Sequence, residues 1–150
     1  MTIELTDPDK VNIKIAYLDT LQNIVNRMAT FSLAMKTASI TTLTALLAYA
    51  ASEPLDNSFK LWMFLFPWLF FAIYHAYFLR LERAFRNIYN DSSNQNSITF
   101  DDMKIDGDKL NGVYEEWTSI IFSKPFLIFH LSLIAIAVIS FITIKGLPCL

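Results

Sequence analysis

Three runs of apolar residues, each near the length needed to cross a bilayer, constrain this chain more than anything else in it. They are Phe31 to Ala51 (FSLAMKTASITTLTALLAYAA), Leu61 to Leu79 (LWMFLFPWLFFAIYHAYFL) and Phe126 to Ile144 (FLIFHLSLIAIAVISFITI). A bilayer core of about 30 Å calls for roughly 20 apolar residues in a helix. The second and third runs meet that requirement on hydropathy alone; the first carries Lys36 and several Ser and Thr residues. Charged residues make up 17% of the chain, against about 25% in a soluble domain. The expected fold class is therefore an all-α membrane protein of three transmembrane helices, one domain in 150 residues.

The segments between the spans set the expected orientation. Lys10, Lys14 and Arg27 precede the first span, and Arg80, Arg83, Arg86, Lys104, Lys109 and Lys124 lie between the second and third. Lys60 and Lys145 are the only basic residues on the opposite side. The positive-inside rule then places the N-terminus and the long connection in the cytoplasm and the C-terminus outside. The first thirty residues lack the early apolar stretch and cleavage site of a signal peptide.

The cytoplasmic parts are expected to be helical extensions of the spans. Residues 1–30 form an amphipathic helix, with Val11, Leu18, Leu21, Val25 and Met28 on one stripe and Thr6 or Asp9 as cap. With no Pro or Gly between that stripe and span one, a nearly continuous helix of about forty residues follows. Span two likewise keeps an apolar stripe (Phe78, Leu81, Phe85, Ile88) after charges begin, with Glu82 and Arg86 as an i,i+4 pair. Such a stripe outside lipid needs a partner, and the N-terminal helix emerges from the same membrane face. In the 80–124 connection, NDSSNQNS reads as a polar loop, Ile98 to Phe100 as a short β-favouring piece, and YEEWTSIIF as a short helix returning to the membrane. Pro125 suits the start of the third span.

Few residues point to chemistry. Asp101, Asp102, Asp106 and Asp108 surround Gly107, but their order does not match a calcium loop and no Glu closes it; a solvated loop is the better reading. Cys149 is the single cysteine, no Cys/His cluster indicates zinc, and no glycine-rich phosphate loop or nucleophile–base pattern exists. The expectation is a non-enzymatic protein without cofactor or metal, and the small net charge of −2 argues against nucleic acid as a partner.

What remains is the polar content of the spans. His75 and His130 each lie a turn or two inside a span at similar depth, open to two readings: a proton relay or pore lining, or a hydrogen-bonded helix–helix contact. Thr37, Thr41 and Thr44 share one face of span one beside Lys36, again either an interhelical face or the lining of an aqueous path. Three spans enclose little space, so any such path requires several copies, and burial of this stripe gives homo-oligomerisation a physical motive. Candidate interior or pore-facing residues are thus Lys36, Thr37, Thr41, Thr44, His75 and His130. Candidate partner-docking residues are Arg80, Arg83, Arg86, Asp101 and Asp102. The aromatic second span is expected to form a lipid-facing wall bent at Pro67.

The segments NRMATFSLAMKTASITTLTALLAYA, YHAYFLRLERAFRNIYND, ITFDDM and IFSKPFLIFH together resemble a widespread family of small bacterial inner-membrane proteins. Glu82, Arg83, Phe85 and Arg86 carry its E-R-x-F-R-like run, Phe100 to Met103 its acidic Phe-containing patch, and Phe122 to Lys124 its Phe-Ser-Lys-like return. Similar proteins accompany anti-phage systems, including RNA-targeting CRISPR loci and the RADAR deaminase system. The resemblance implies a bacterial inner-membrane effector or accessory of antiviral defence, with membrane lipids, further copies of itself and a cytosolic defence protein as partners. Its alternatives are a membrane-anchored module that docks a cytosolic partner and a small-solute or ion channel.

Overall fold

The computed structural model describes residues 7–52, 62–95 and 98–146, and these are almost wholly helical, with no strand among them. Six helices follow in order: α1 (Asp7–Ser52), α2 (Trp62–Asn94), α3 (Phe100–Met103), α4 (Gly107–Val113), α5 (Trp117–Ile121) and α6 (Lys124–Gly146). Helices α1, α2 and α6 are long and apolar enough to cross a membrane.

Length alone explains the division of the molecule. At 1.5 Å per residue, the 46 residues of α1 extend for roughly 70 Å, more than twice the thickness of a bilayer core of about 30 Å. The 33 residues of α2 extend for roughly 50 Å. Each long helix therefore projects beyond any membrane it crosses, and the two pack against each other more extensively than any other pair. The continuous α1 agrees with the absence of Pro and Gly between residues 9 and 52, and α2 runs through Pro67 without ending.

Where the helices project, they share an apolar core. Tyr17, Leu21 and Ile88 form its buried centre, with Leu18, Phe85, Tyr89, Met103, Leu110 and Val113 packed around it. The buried line on α1 is Tyr17, Leu21, Val25 and Met28, spaced by four, four and three residues. Val11 from the expected stripe is exposed; the buried face centres on Tyr17 instead. Thr6 lies outside the described residues, and Asp9 sits within the first turn of α1.

Two expectations for the connection are corrected. The run NDSSNQNS does not begin a loop: α2 continues through Asn94, with Ser92 buried. Lys14 holds that end, its Nζ donating to the carbonyls of Ser93 (3.0 Å) and Gln95 (2.6 Å), groups that a helix end leaves without partners. The β-favouring piece is not a strand, since no neighbouring strand exists to pair with it among the described residues. Thr99 instead starts α3 with a capping box. Its N–H and hydroxyl donate to the Asp102 carboxylate (2.9 and 2.6 Å), and the Asp102 N–H points back at the Thr99 hydroxyl (3.4 Å).

The return toward the third long helix follows the expected pattern more closely. The short helix α5 is present, and Pro125 is the second residue of α6, where its missing N–H costs nothing. The Ser123 carbonyl accepts from the Leu127 N–H (3.0 Å) to open that helix. Helix α6 packs on both α1 and α2, through Phe126, His130, Leu133 and Ala137 along one face. At the far end, Ala50, Phe64 and Ala137 form a second cluster with Leu43, Leu46 and Phe141.

Candidate functional site

The polar residues of the three long helices divide into an inner group and an outer group. The inner group is built on the two histidines. His75 of α2 and His130 of α6 are 1% and 3% exposed, and their rings meet, Nδ1 of His75 lying 2.8 Å from Nε2 of His130. The Trp68 indole N–H, two turns before His75, donates to Nδ1 of His130 (3.1 Å). An indole nitrogen only donates, so Nδ1 of a neutral His130 is an acceptor and its proton sits on Nε2. Nε2 then donates to Nδ1 of His75, and the protons order themselves along one line, Trp68 to His130 to His75. Phe126 stacks on His75 (ring centroids 5.2 Å, 19° between planes), and Phe129 meets both histidine rings edge-on. No buried side-chain nitrogen or oxygen among the described residues is left without a hydrogen bond.

The two histidines are thus joined directly, and both are turned away from the outer surface. Lys36 approaches the same aromatic shell from α1: its Nζ lies 5.7 Å from the Phe129 ring centroid, within cation–π range. It is half-buried. The inner group therefore takes one residue from α1, two from α2 and the aromatic pair with His130 from α6.

The threonines belong to the outer group. Thr37, Thr41 and Thr44 are all exposed on α1, pointing away from α2 and α6 within one chain. The hydroxyls of Thr37 and Thr44 bond back to the carbonyls of Leu33 (3.1 Å) and Ile40 (2.9 Å) one turn earlier. Their polarity is satisfied inside their own helix, so they tolerate an apolar neighbour. Thr37 and Thr41, with Thr30, Leu33, Ala34, Ala38 and Thr42, line an open depression along α1. The buried polar residues of α1 are Ser32 and Ser39. The face carrying Lys36 and the three threonines is accordingly split: the lysine leans inward and the threonines look out.

The charged residues of the connection are largely used within the chain. The Arg80 Nε–H donates to the Glu115 carbonyl (2.7 Å), and its guanidinium lies over the rings of Tyr114 (4.4 Å) and Trp117 (4.9 Å). Arg83 pairs with the Glu115 carboxylate at 2.8 Å. Arg86 pairs with Glu82 at 2.6 Å and remains largely exposed. The Asp102 carbonyl accepts from the Tyr17 hydroxyl (3.2 Å) and from Lys109 Nζ. The side chain of Asp101 lies outside the described residues.

The acidic run proves to be a pair of helix caps instead of a bare solvated loop. Asp102 caps α3, and Asp106 caps α4 by accepting from the Lys109 N–H (2.9 Å). The hydrogen bonds from Thr99 lower the Asp102 pKa below the ordinary carboxylate range, and the bond from the Lys109 N–H does the same for Asp106. Among the described residues, no group of three His, Cys, Asp or Glu side chains converges in a way that could hold a metal ion.

Fold and sites together define a small all-helical chain with three helices suited to crossing a membrane and a helical corner packed on the projecting ends of two of them. The chain matches no family model, no curated protein and no solved structure.

Proposed function

We propose that the protein is a non-enzymatic, oligomeric inner-membrane effector or accessory that perturbs the membrane in a pore-like manner during anti-phage defence. The observation that carries the reading is the outward face of α1. Thr37, Thr41 and Thr44 point away from the single chain's own interior, on a surface where Ala34 and Ala38 allow close approach of another helix. Association of copies through or around this face gives the stripe an interior that one chain lacks. Lys36, half-buried behind it, supplies positive charge close to that interior. The defence setting follows from the family resemblance.

The test is membrane potential, followed by a voltage-sensitive dye in cells expressing the protein with its neighbouring genes, before and after phage infection. Depolarisation on infection that weakens in Thr41→Leu is the expected result. An unchanged potential in the parent protein counts against the effector reading. Conductance without infection supports the small-solute or ion channel alternative.

A second reading, a membrane-anchored module that docks a cytosolic protein, draws on the folded corner of α3, α4 and α5. Arg86, paired with Glu82 on its own helix, keeps its side chain largely exposed, whereas Arg80 and Arg83 are engaged with Glu115. A stoichiometric cytosolic partner recovered from native membranes, lost in Arg86→Glu and accompanied by no conductance, favours docking.

A further inference from the structure

An apolar groove runs along α2 beside α5 and the start of α6. Ala72 and Ala76, one turn apart, form its floor because neither reaches out to fill the space; Trp68, Trp117, Ile121 and Phe126 form its walls. It encloses about 880 Å³ including its open mouth. The next turn of α2 brings Arg80 to the same face, at the end of the apolar stretch and beside the wall residue Trp117. Arg80 is the first charged residue after the apolar run of α2, so in a membrane it lies at the boundary between acyl chains and headgroups.

The Glu115 and Glu116 carboxylates are both bonded to groups other than Arg80. Arg83 neutralises the Glu115 carboxylate, and the Glu116 carboxylate is turned to the Thr118 hydroxyl (3.3 Å). Arg80 makes no ion pair among the described residues: it spends one N–H on a backbone carbonyl and its flat face on two aromatic rings. The remaining N–H groups of the guanidinium fork are suited to two oxygens of one phosphate. Trp117 and Tyr114 are residues that favour the headgroup level.

The geometry points to a specific site for an anionic phospholipid, with one acyl chain along the Ala72–Ala76 floor and its headgroup phosphate on Arg80. The charge complementarity at Arg80 selects the occupant: a zwitterionic lipid fills the groove equally well but gains less at its rim. The proposal requires only that α2 and α6 lie in a bilayer; it does not depend on oligomerisation or on a role in defence.

The test uses the full chain with Trp62→Phe, which leaves Trp68 and Trp117 as its indoles, reconstituted in bilayers. Quenching of their fluorescence by phosphatidylglycerol with brominated acyl chains is compared with quenching by phosphatidylcholine carrying the same chains. Half-quenching is expected at about fivefold lower mole fraction of phosphatidylglycerol. Arg80→Gln brings the two curves together, and Arg80→Lys keeps most of the preference. Ala76→Leu, which fills the floor, weakens quenching by both lipids. Coincident curves in the parent, or a preference that survives Arg80→Gln, overturn the proposal. The headgroup comparison decides it even if Ala76→Leu does not fold.

Discussion

Nδ1 of His75 and Nε2 of His130 lie 2.8 Å apart inside the helix bundle, and Trp68 donates to the far side of His130. Removing the middle member strands the other two. His130→Leu leaves the indole N–H and a histidine nitrogen without partners in apolar surroundings, at a cost of about 1–3 kcal/mol for each. His75→Leu leaves only His130 Nε2 stranded and is expected to cost less. In a double-mutant cycle by thermal unfolding in mild detergent, the pair should show a coupling of at least about 0.5 kcal/mol. Additive losses would mean that the two rings touch without a hydrogen bond that contributes to stability.

The core outside the apolar spans rests on Leu21, which is fully buried between Tyr17 and Ile88. Leu21→Ala should cost about 2–5 kcal/mol, spent locally on the seam between α1 and α2 instead of on the spans. Hydrogen exchange is the direct measurement. Faster exchange around residues 14–25 and 85–94, with residues 126–143 unchanged, is expected. Uniform acceleration throughout the chain would contradict the division into a membrane part and a projecting corner.

That corner marks where the sequence was legible and where it was not. The stripe on α1 and the continuation of α2 were readable because a helical period announces itself, and the two stripes had only each other to cover. The end of α2 was not readable. Asn, Asp and Ser at positions 90–94 are weak helix formers, and what holds them helical is Lys14, about eighty residues earlier, on the carbonyls of Ser93 and Gln95. The Thr99 to Asp102 capping box was visible as a T-x-x-D pattern, a signal that the β-favouring character of Ile98 to Phe100 obscured. For the spans, spacing puts Thr37, Thr41 and Thr44 on one face but does not say which way that face turns. The neighbouring face with Ser32 and Ser39 turned inward instead. Depth brought the histidines to one level; only the packing of α2 on α6 made them meet.

Arg80 and Arg83 both fasten the segment before α5, by different means. The Arg83–Glu115 pair has side chains 26% and 32% exposed, so solvent screening keeps its worth to about 1 kcal/mol or less. Glu115→Gln should therefore lower stability only slightly, with the effect fading at high salt. Arg80→Ala removes a hydrogen bond and two ring contacts and should cost about 1–3 kcal/mol, largely independent of salt. Equal salt dependence in the two variants would show that Arg80 acts through charge alone.

The two aspartate caps make the α3–α4 corner sensitive to acid. Hydrogen bonds to the charged carboxylates, chiefly from Thr99 to Asp102 and from the Lys109 N–H to Asp106, hold both pKa values below those of the unfolded chain. A group with a lowered folded pKa contributes its stability above the unfolded pKa, about 3.9 for Asp, and loses it as pH falls through the folded value. The caps are thus intact at neutral pH and fail only below about pH 4. Amide exchange at residues 100–113, corrected for its intrinsic pH dependence, should hold steady from pH 7 to about pH 4 and accelerate below it. In the double variant Asp102→Asn, Asp106→Asn the acid-induced step should vanish, because an amide oxygen accepts the same hydrogen bonds without titrating. Persistence of the step in that variant would show that the two aspartates do not cause it.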